Sequence, residues 1–254
     1  MLPLEVTDMK IEGKVVVVTG ANRGLGRALV GDLVRRGAAK VYAAARREDS
    51  LEPLVKEHGA RVVRLALDVT RPDSLAEAAA KASDANVLVN NAGLLASYGI
   101  FSSPLATIRD DFEVNAFGLL ATSKAFLPAL ERAAKRGDAA VVNVLSVASL
   151  ANMPSLGGYS ASKAAAWSIS QAIRWELAKL GIPVFASFPG PIDTDMVRSM
   201  EMPKTSAEAV ARSLLDAVEA GTVDAAPDPT GAQFFTTFER EPAALAKTFG
   251  EMSG

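Results

Sequence analysis

The sequence predicts an α/β fold in which a single doubly wound parallel sheet is flanked by helices on both faces. Short runs rich in β-branched residues alternate with amphipathic stretches along the 254 residues, the pattern of a parallel sheet covered by helices. The runs are largely apolar throughout, as strands buried on both faces are. We place these strands at Val15–Thr19, Val41–Ala45, Val62–Leu67, Val87–Asn90, Val141–Leu145 and Val184–Phe188.

The amphipathic stretches predict the helices. The first, from Leu25 to Arg36, carries an apolar stripe at helical spacing, and the third strand is followed by a helix that begins near Pro72. Thr205, with Glu208 three residues later, predicts a capping box at the start of a later helix. The remaining predicted helices are Leu105–Lys135, Ser155–Leu180, Ser206–Ala220 and a polar one from about Glu241.

Composition limits the classes of function. Residues 1–254 are expected to form a single domain with a short substrate lid near residues 191–205, because no linker or repeat interrupts the pattern. The 27 Lys and Arg against 29 Asp and Glu give no electrostatic footprint for nucleic acid or an anionic membrane. With one histidine and no cysteine, we expect no metal site, no thiol nucleophile and no Ser-His-Asp triad. Because neither a signal peptide nor a membrane span is recognisable, we expect a cytoplasmic protein.

A glycine-rich turn follows the first predicted strand and precedes the first predicted helix. Glycines let the backbone approach a pyrophosphate, and the helix N-terminus directs N–H groups at that anion. The spacing, Gly-x3-Gly-x-Gly, differs from the commonest dinucleotide fingerprint, and an ordinary tight turn is the alternative. The position between strand and helix favours a dinucleotide site. We assign to it Gly20, Asn22, Arg23, Gly24, Leu25 and Gly26.

The tip of the second strand carries no acidic residue. Ala45 stands there and Arg46 follows, whereas chains that bind NAD usually place Asp or Glu at this point to hold the ribose 2′-hydroxyl. Arg23 and Arg46 are placed to bind a 2′-phosphate, so we expect NADPH or NADP as the cofactor. The alternative is that both are ordinary surface arginines.

A tyrosine, a lysine and a serine predict the chemistry. Tyr159 is followed four residues later by Lys163, and residues at this spacing share one face of a helix. An ammonium group there favours the phenolate and lowers the pKa of the phenol. Ser146, at the end of the fifth strand, is placed to donate a hydrogen bond to a substrate carbonyl, with Ser149 as the competing choice. Asn115, inside a predicted helix, has a structural or relay role, because a buried amide needs partners.

In their order and spacing, these motifs resemble the short-chain dehydrogenase/reductase family from Lys14 to about Met196. The resemblance implies a Rossmann-type fold with Tyr159 as general acid/base and Ser146 polarising the carbonyl. It implies that Lys163 binds the nicotinamide ribose and that Asn115 holds a proton-relay water. It also implies further contacts with the cofactor: Asp68 and Val69 at the adenine, Asn90 framing the pocket, and Ile192 and Thr194 at the nicotinamide carboxamide. Ala92, Gly93, Pro189 and Gly190 belong to the same matching motifs and are expected to bind the cofactor as well.

The predicted activity is that of an NADPH-dependent carbonyl reductase or, in reverse, an alcohol dehydrogenase, which transfers a hydride directly. The alternatives are a dehydratase or epimerase-type enzyme of the same fold and a non-catalytic NADP-sensing regulatory protein. Apolar residues around the presumed pocket predict a neutral, hydrophobic ketone or aldehyde as substrate. These residues are Leu94, Leu95, Tyr98, Leu150, Met153, Leu156, Met196, Met200 and Met202.

The C-terminal segment departs from the family pattern. Many members end in a strand and an Asp-Gly-Gly-type tail that forms a tetramer interface, and residues 223–231 show no such tail. We therefore expect a homodimer through the helices around Asp111–Leu130 and Ser160–Leu180, with a tetramer as the alternative.

Overall fold

The computed structural model describes residues 9–198 and 201–253, and within these ranges it contains a seven-stranded parallel sheet. Its strand order, β3-β2-β1-β4-β5-β6-β9, changes direction between β1 and β4 and confirms the doubly wound fold. The six predicted strands are present to within one residue at each end. The strands of this sheet are β1 Val15–Thr19, β2 Lys40–Ala45, β3 Val62–Ala66, β4 Val87–Asn90, β5 Ala140–Val144, β6 Val184–Ser187 and β9 Asp224–Ala225.

Helices cover both faces of the sheet because its side chains alternate between two apolar cores. Val16 and Val18 of β1 belong to a core that includes Leu29 and Leu214, and Val17 belongs to a second core that includes Phe126. The helices are α1 Gly24–Arg35, α2 Glu52–His58, α3 Pro72–Lys81, α4 Leu105–Phe112, α5 Gly118–Ala134, α6 Gly157–Ala178, α7 Ala207–Glu219, α8 Pro229–Arg240 and α9 Pro242–Glu251.

Two local predictions need correction. The helix predicted over Leu105–Lys135 is interrupted by a π-helical segment, Glu113–Phe117, which separates α4 from α5. The capping residue of α7 is Ser206, whose hydroxyl accepts the N–H of Ala209 at 3.2 Å, and not Thr205. Thr205 instead lies in a short strand, where its backbone pairs with that of Ile192, so the helix begins only after it.

The segment expected to form a lid, residues 191–205, starts and ends at a pair of short parallel strands. These are β7 Ile192–Asp193 and β8 Thr205–Ser206. Met200 lies outside the described residues, as do the first eight residues of the N-terminal stretch in which no signal peptide was recognised. None of the helices in the described ranges combines the length and the apolar character that a membrane crossing requires.

Candidate active site

A cavity of about 550 Å³ opens at the carboxyl edge of the sheet, beside the change of strand order. This is where doubly wound sheets bind their ligands. All of the predicted site residues line it except Asn90 and Asn115. The predicted residues that the fold brings together there are Gly20, Asn22, Arg23, Gly24, Leu25, Gly26, Arg46, Asp68, Val69, Ala92, Gly93, Ser146, Tyr159, Lys163, Pro189, Gly190, Ile192 and Thr194.

The glycine-rich turn has the shape that a pyrophosphate site needs. Gly20 has a φ of +65°, and a Cβ there would lie 2.9 Å from the Cα of Ala92. A Cβ on Gly26 would overlap the carbonyl oxygen of Gly20. The N-cap residue of α1, Arg23, has no side-chain acceptor and makes no capping hydrogen bond among the described residues, so it leaves the first N–H groups of this helix uncapped. These features fit a dinucleotide phosphate group.

The two arginines expected at the 2′-phosphate both line the cavity and are exposed. Arg46 follows the buried Ala45 at the end of β2, and its positive charge acts on Asp68. Arg23 lies on the glycine-rich turn, with its Nη1 4.0 Å from the Oδ2 of Asp195 in the expected lid. Both arginines therefore present a positive charge to the cavity.

Asp68 occupies a turn after β3. Burial opposes its ionisation, but hydrogen bonds from the hydroxyl and backbone N–H of Thr70, with the charges of Arg46 and Arg71, hold the pKa of the carboxyl below its usual value. Val69 is buried beside it and lies against Gly118, where a Cβ would meet the valine side chain at 2.7 Å. The pair forms one wall of the cavity.

The tyrosine, lysine and serine meet as predicted. Tyr159 and Lys163 lie in the first turns of α6, and the Nζ of Lys163 is 5.9 Å from the centre of the Tyr159 ring. Lys163 also donates to the carbonyl oxygen of Val144 at 3.1 Å, which anchors it to the end of β5. Ser146 follows that strand, and its hydroxyl oxygen accepts the N–H of Ala148 at 3.2 Å. Ser149, the competing choice, is buried and does not line the cavity.

The expected lowering of the tyrosine pKa is wrong for this structure. Burial raises the pKa of Tyr159 to about 12, although a hydrogen bond with Ser146 opposes the shift, and the negative charge of Asp111 adds to it. Burial likewise lowers the pKa of Lys163 to about 8, against the effect of Asp111. Both groups are almost wholly removed from water, and desolvation is the largest cause of both shifts. At neutral pH, Tyr159 therefore keeps its proton.

Asn115 is buried in the π-helical segment, and its amide is tolerated there because it is hydrogen-bonded. Its Nδ2 donates to the carbonyl oxygen of Leu94 at 2.8 Å and to the hydroxyl of Ser162 at 2.9 Å. Its Oδ1 accepts the N–H of Leu94 at 2.8 Å. Both amide hydrogens are thus engaged. Asn115 therefore positions the loop after β4, and the proton-relay water stays a prediction.

Asn90 is buried within the sheet and does not frame the cavity. Its Nδ2 donates to the hydroxyl of Ser123 at 3.0 Å and to the Oδ1 of Asn143 at 2.9 Å. The amide of Asn143 then donates to Ser170 on α6 at 2.6 Å. Its neighbour Asn91 lines the cavity instead and donates to the carbonyl oxygen of Thr19 at 2.8 Å.

The other end of the cavity is apolar. Most of the residues expected there do line it, whereas Tyr98 is exposed on the surface and Leu150 packs against a small core around Val147. Sequence reasoning missed the contribution of α8 and the residues after α9, which carry no recognisable motif. The expected apolar lining residues are Leu94, Leu95, Met153, Leu156, Met196 and Met202, and the additional C-terminal ones are Thr230, Gln233, Phe234 and Met252.

Known proteins with similar sequences belong to one family. The short chain dehydrogenase family pattern matches residues 14–204. The short chain dehydrogenase tazN of Aspergillus terreus is 35% identical over 204 residues, 76% of this chain but 44% of that protein. The 3-oxoacyl-acyl-carrier-protein reductase FabG of Escherichia coli is 33% identical over 196 residues, 76% of this chain and 79% of that protein.

A solved structure extends the likeness to nearly the whole chain. The crystal structure of a short chain dehydrogenase from Burkholderia cenocepacia, in complex with NADP, superposes with a TM-score of 0.88 and 36% identity. The superposition covers 95% of this chain and 99% of that one. Fold and sequence agree, and the chain belongs to the short-chain dehydrogenase/reductase family of NAD(P)-dependent oxidoreductases.

Proposed function

We propose that the protein is an NADPH-dependent carbonyl reductase that acts on neutral, hydrophobic ketones or aldehydes, and in reverse on the corresponding alcohols. The observation that carries this proposal is the position of Tyr159, Lys163 and Ser146 in the same cavity as the glycine-rich turn and two arginines. A sensor protein has no need of these three polar groups, and their presence in one cavity favours an enzyme.

The cofactor that fits this cavity is NADPH or NADP. The backbone of the glycine-rich turn would hold the pyrophosphate, and Arg23 and Arg46 would hold the 2′-phosphate. The NADP in the Burkholderia cenocepacia relative supports this assignment. The nicotinamide, when bound, supplies the hydride for reduction or accepts it for oxidation.

The chain's own residues supply the proton and the polarity. The Ser146 hydroxyl accepts the N–H of Ala148 and lies in hydrogen-bonding reach of Tyr159, so its O–H can turn to donate to a substrate carbonyl oxygen beside the tyrosine. Tyr159, protonated at neutral pH, gives its proton to the same oxygen as negative charge develops there. Lys163, held by the carbonyl of Val144, places a positive charge beside the phenolate that Tyr159 becomes when it gives up its proton.

The lining of the cavity supports a neutral substrate. The cations among the described lining residues are Arg23 and Arg46 at the glycine-rich turn and Lys163 beside Tyr159. The substrate end is surrounded by leucine, methionine and phenylalanine side chains, including Leu156 and Phe234. Burying a carboxylate there without a cation costs several kcal/mol.

A substrate panel tests the proposal. NADPH consumption is followed with an aryl ketone, a neutral 3-oxoacyl thioester and an α-keto acid of similar size. We expect the two neutral carbonyl compounds to exceed the keto acid in kcat/KM, and their ranking separates a general ketone reductase from a FabG-like one. A keto acid with the highest kcat/KM would overturn the substrate class, and no turnover of any carbonyl compound would overturn the activity.

The assembly is proposed as a homodimer through the helices around residues 111–130 and 160–180. Two large apolar side chains on these segments, Phe117 and Trp175, are 52% and 51% exposed in the single chain, which supports an interface there. A cytoplasmic location stays a prediction.

A further inference from the structure

Asp111 is a buried carboxylate that the proposed reaction does not use. It lies near the end of α4 and is fully buried, with 0% exposure. Its Oδ1 accepts the N–H of Ala96 at 2.8 Å, and its Oδ2 accepts the N–H of Ser97 at 3.1 Å together with the Ser97 hydroxyl. All of these partners are donors, an arrangement that suits an ionised carboxylate. Burying a charge costs free energy unless hydrogen bonds compensate for it, and the groups that bind Asp111 therefore indicate what it stabilises.

Asp111 and Asn115 lie one helical turn apart and hold the same loop. Asn115 binds both backbone groups of Leu94, and Asp111 binds the N–H groups of Ala96 and Ser97. Leu94 and the residue after it line the cavity. The two side chains therefore fix the course of the chain between β4 and α4 along the wall of the site.

Ser97 also contacts α6, the helix that carries Tyr159. A Cβ on Gly158 would overlap the Ser97 hydroxyl and would lie 3.0 Å from the Cγ1 of Ile108. The hydroxyl that donates to Asp111 is thus packed directly on the backbone of the residue before Tyr159. The first turn of α6 rests on the Asp111–Ser97 pair.

The charge of Asp111 also reaches the two titrating groups of the site. Burial lowers the pKa of Lys163 and raises that of Tyr159, and the negative charge of Asp111 raises both. On its own helix, the neighbouring Arg109 and Asp110 are exposed to solvent. The other polar groups facing the pair are neutral: Ser146 after β5, Asn115 in the π-helical segment and Ser162 on α6.

We propose that Asp111 is a positioning residue: through Ser97 it supports the first turn of α6, and from there its negative charge acts on Lys163 of the same helix. The roles of Lys163 and Tyr159 in this statement rest on the proposed function. Asp111 does not line the cavity. It acts by keeping Lys163 protonated beside Tyr159.

A direct titration tests the proposal without turnover. The protein is labelled with ¹³C-lysine, and the Lys163 resonance is assigned by its loss in Lys163→Arg. In the unmodified protein without added coenzyme, we expect a midpoint near the pKa of about 8. Asp111→Asn removes a nearby charge and should lower this midpoint by roughly one pH unit. Asp110→Asn removes the same charge from the exposed side of α4 and should leave it unchanged.

A second variant keeps the test decisive if Asp111→Asn does not fold. Ser97→Ala removes one donor from the carboxylate and leaves its charge less neutralised, so it should move the Lys163 midpoint upwards. An unchanged midpoint in Ser97→Ala and in folded Asp111→Asn, or an equal shift in Asp110→Asn, would overturn the proposal.

Turnover gives an independent readout. In ketone reduction, kcat/KM falls as Tyr159 loses its proton, and Asp111→Asn should move this alkaline limb to lower pH. If no carbonyl compound is reduced, the proposed function fails while the Lys163 titration still decides the role of Asp111.

Discussion

Asp228 joins Gly190 to the start of α8. Its Oδ2 accepts the N–H of Gly190 at 2.8 Å, and its Oδ1 accepts the N–H of Gly231 at 2.9 Å. The carboxylate is 4% exposed, and a Cβ on Gly190 would lie 3.1 Å from the nitrogen of Gly231. One buried side chain therefore sets the distance between the loop after β6 and the helix that brings Phe234 to the cavity.

Asp228→Ala should destabilise the protein by about 1–3 kcal/mol, because it removes an N-cap and leaves two N–H groups without their acceptor. The free energy of unfolding is measured in urea. Glu239→Ala, an exposed change on the same helix, should alter it far less. The substrate KM should rise more than the NADPH KM, because α8 borders the apolar end of the cavity. Equal stability of the two variants would contradict this role.

Tyr159→Phe should abolish turnover while NADPH still binds. The change removes only the hydroxyl that gives the proton, so the unfolding free energy should change by about 1 kcal/mol or less. Turnover is followed by NADPH absorbance, and binding is followed by NADPH fluorescence. Tyr98→Phe, on the exposed Tyr98, serves as the control and should keep full activity. Normal turnover in folded Tyr159→Phe would reject the assignment of the acid.

Arg46→Ala should raise the KM for NADPH about tenfold with kcat nearly unchanged, because a charge-assisted hydrogen bond to the 2′-phosphate stabilises the bound ground state and the transition state equally. The KM for NADH should hardly change. Arg47→Ala provides a matched control, because Arg47 is exposed beside Arg46 but does not line the cavity. Equal kcat/KM for NADPH and NADH in the unmodified protein would show that neither cavity arginine binds the 2′-phosphate.

Because of Lys163, the free energy of unfolding should increase as the pH rises from 8 towards 10. Its pKa is about 8 in the folded chain against 10.5 for the unperturbed group, so the unfolded chain binds more protons in this interval. Stability must then rise with pH, by a total of about 3 kcal/mol across the full interval. The raised pKa of Tyr159 opposes this only above its ordinary value of 10.0, because there the unfolded chain loses the phenol proton first.

Urea unfolding at the two pH values checks this dependence. The unfolding free energy of the unmodified protein relative to Lys163→Met should increase with pH. Lys179→Met, at an exposed lysine just after α6, is the control. The difference in unfolding free energy between the unmodified protein and this variant should not change with pH. A difference from Lys163→Met that does not vary with pH would show that the buried lysine is not desolvated as the structure indicates.

Trp175→Glu should dissociate the proposed homodimer, since a charge in an apolar two-fold interface is repeated on both partners. Light scattering at micromolar concentration measures the mass. Phe101→Ser, at a fully exposed aromatic residue outside the two helices, should leave the dimer intact. A stable tetramer of the unmodified protein would contradict the expected assembly.

The central strands and the glycine-rich turn were predictable because their signals are local. Apolar runs such as Val15–Thr19 and the glycine spacing each lie within one strand or turn. The two-residue strand β9 has no such signal. It is held at the sheet edge by the buried Arg174, which binds Asp224 and the carbonyl oxygen of Val184. A contact between residues this far apart in sequence cannot be read from either segment alone.

The sequence alone was enough to predict the doubly wound fold, the family and the proximity of Tyr159, Lys163 and Ser146. The i, i+4 spacing on one helix and the strand-end position of the serine bring the three residues to one edge of the sheet. That Asn90 and Asn115 stabilise the walls and do not line the cavity depends on contacts between segments far apart in sequence. The pKa shifts of Tyr159 and Lys163 have the same origin. Burial and the charge of Asp111 act on Tyr159 through space, and both depend on how distant elements pack around it.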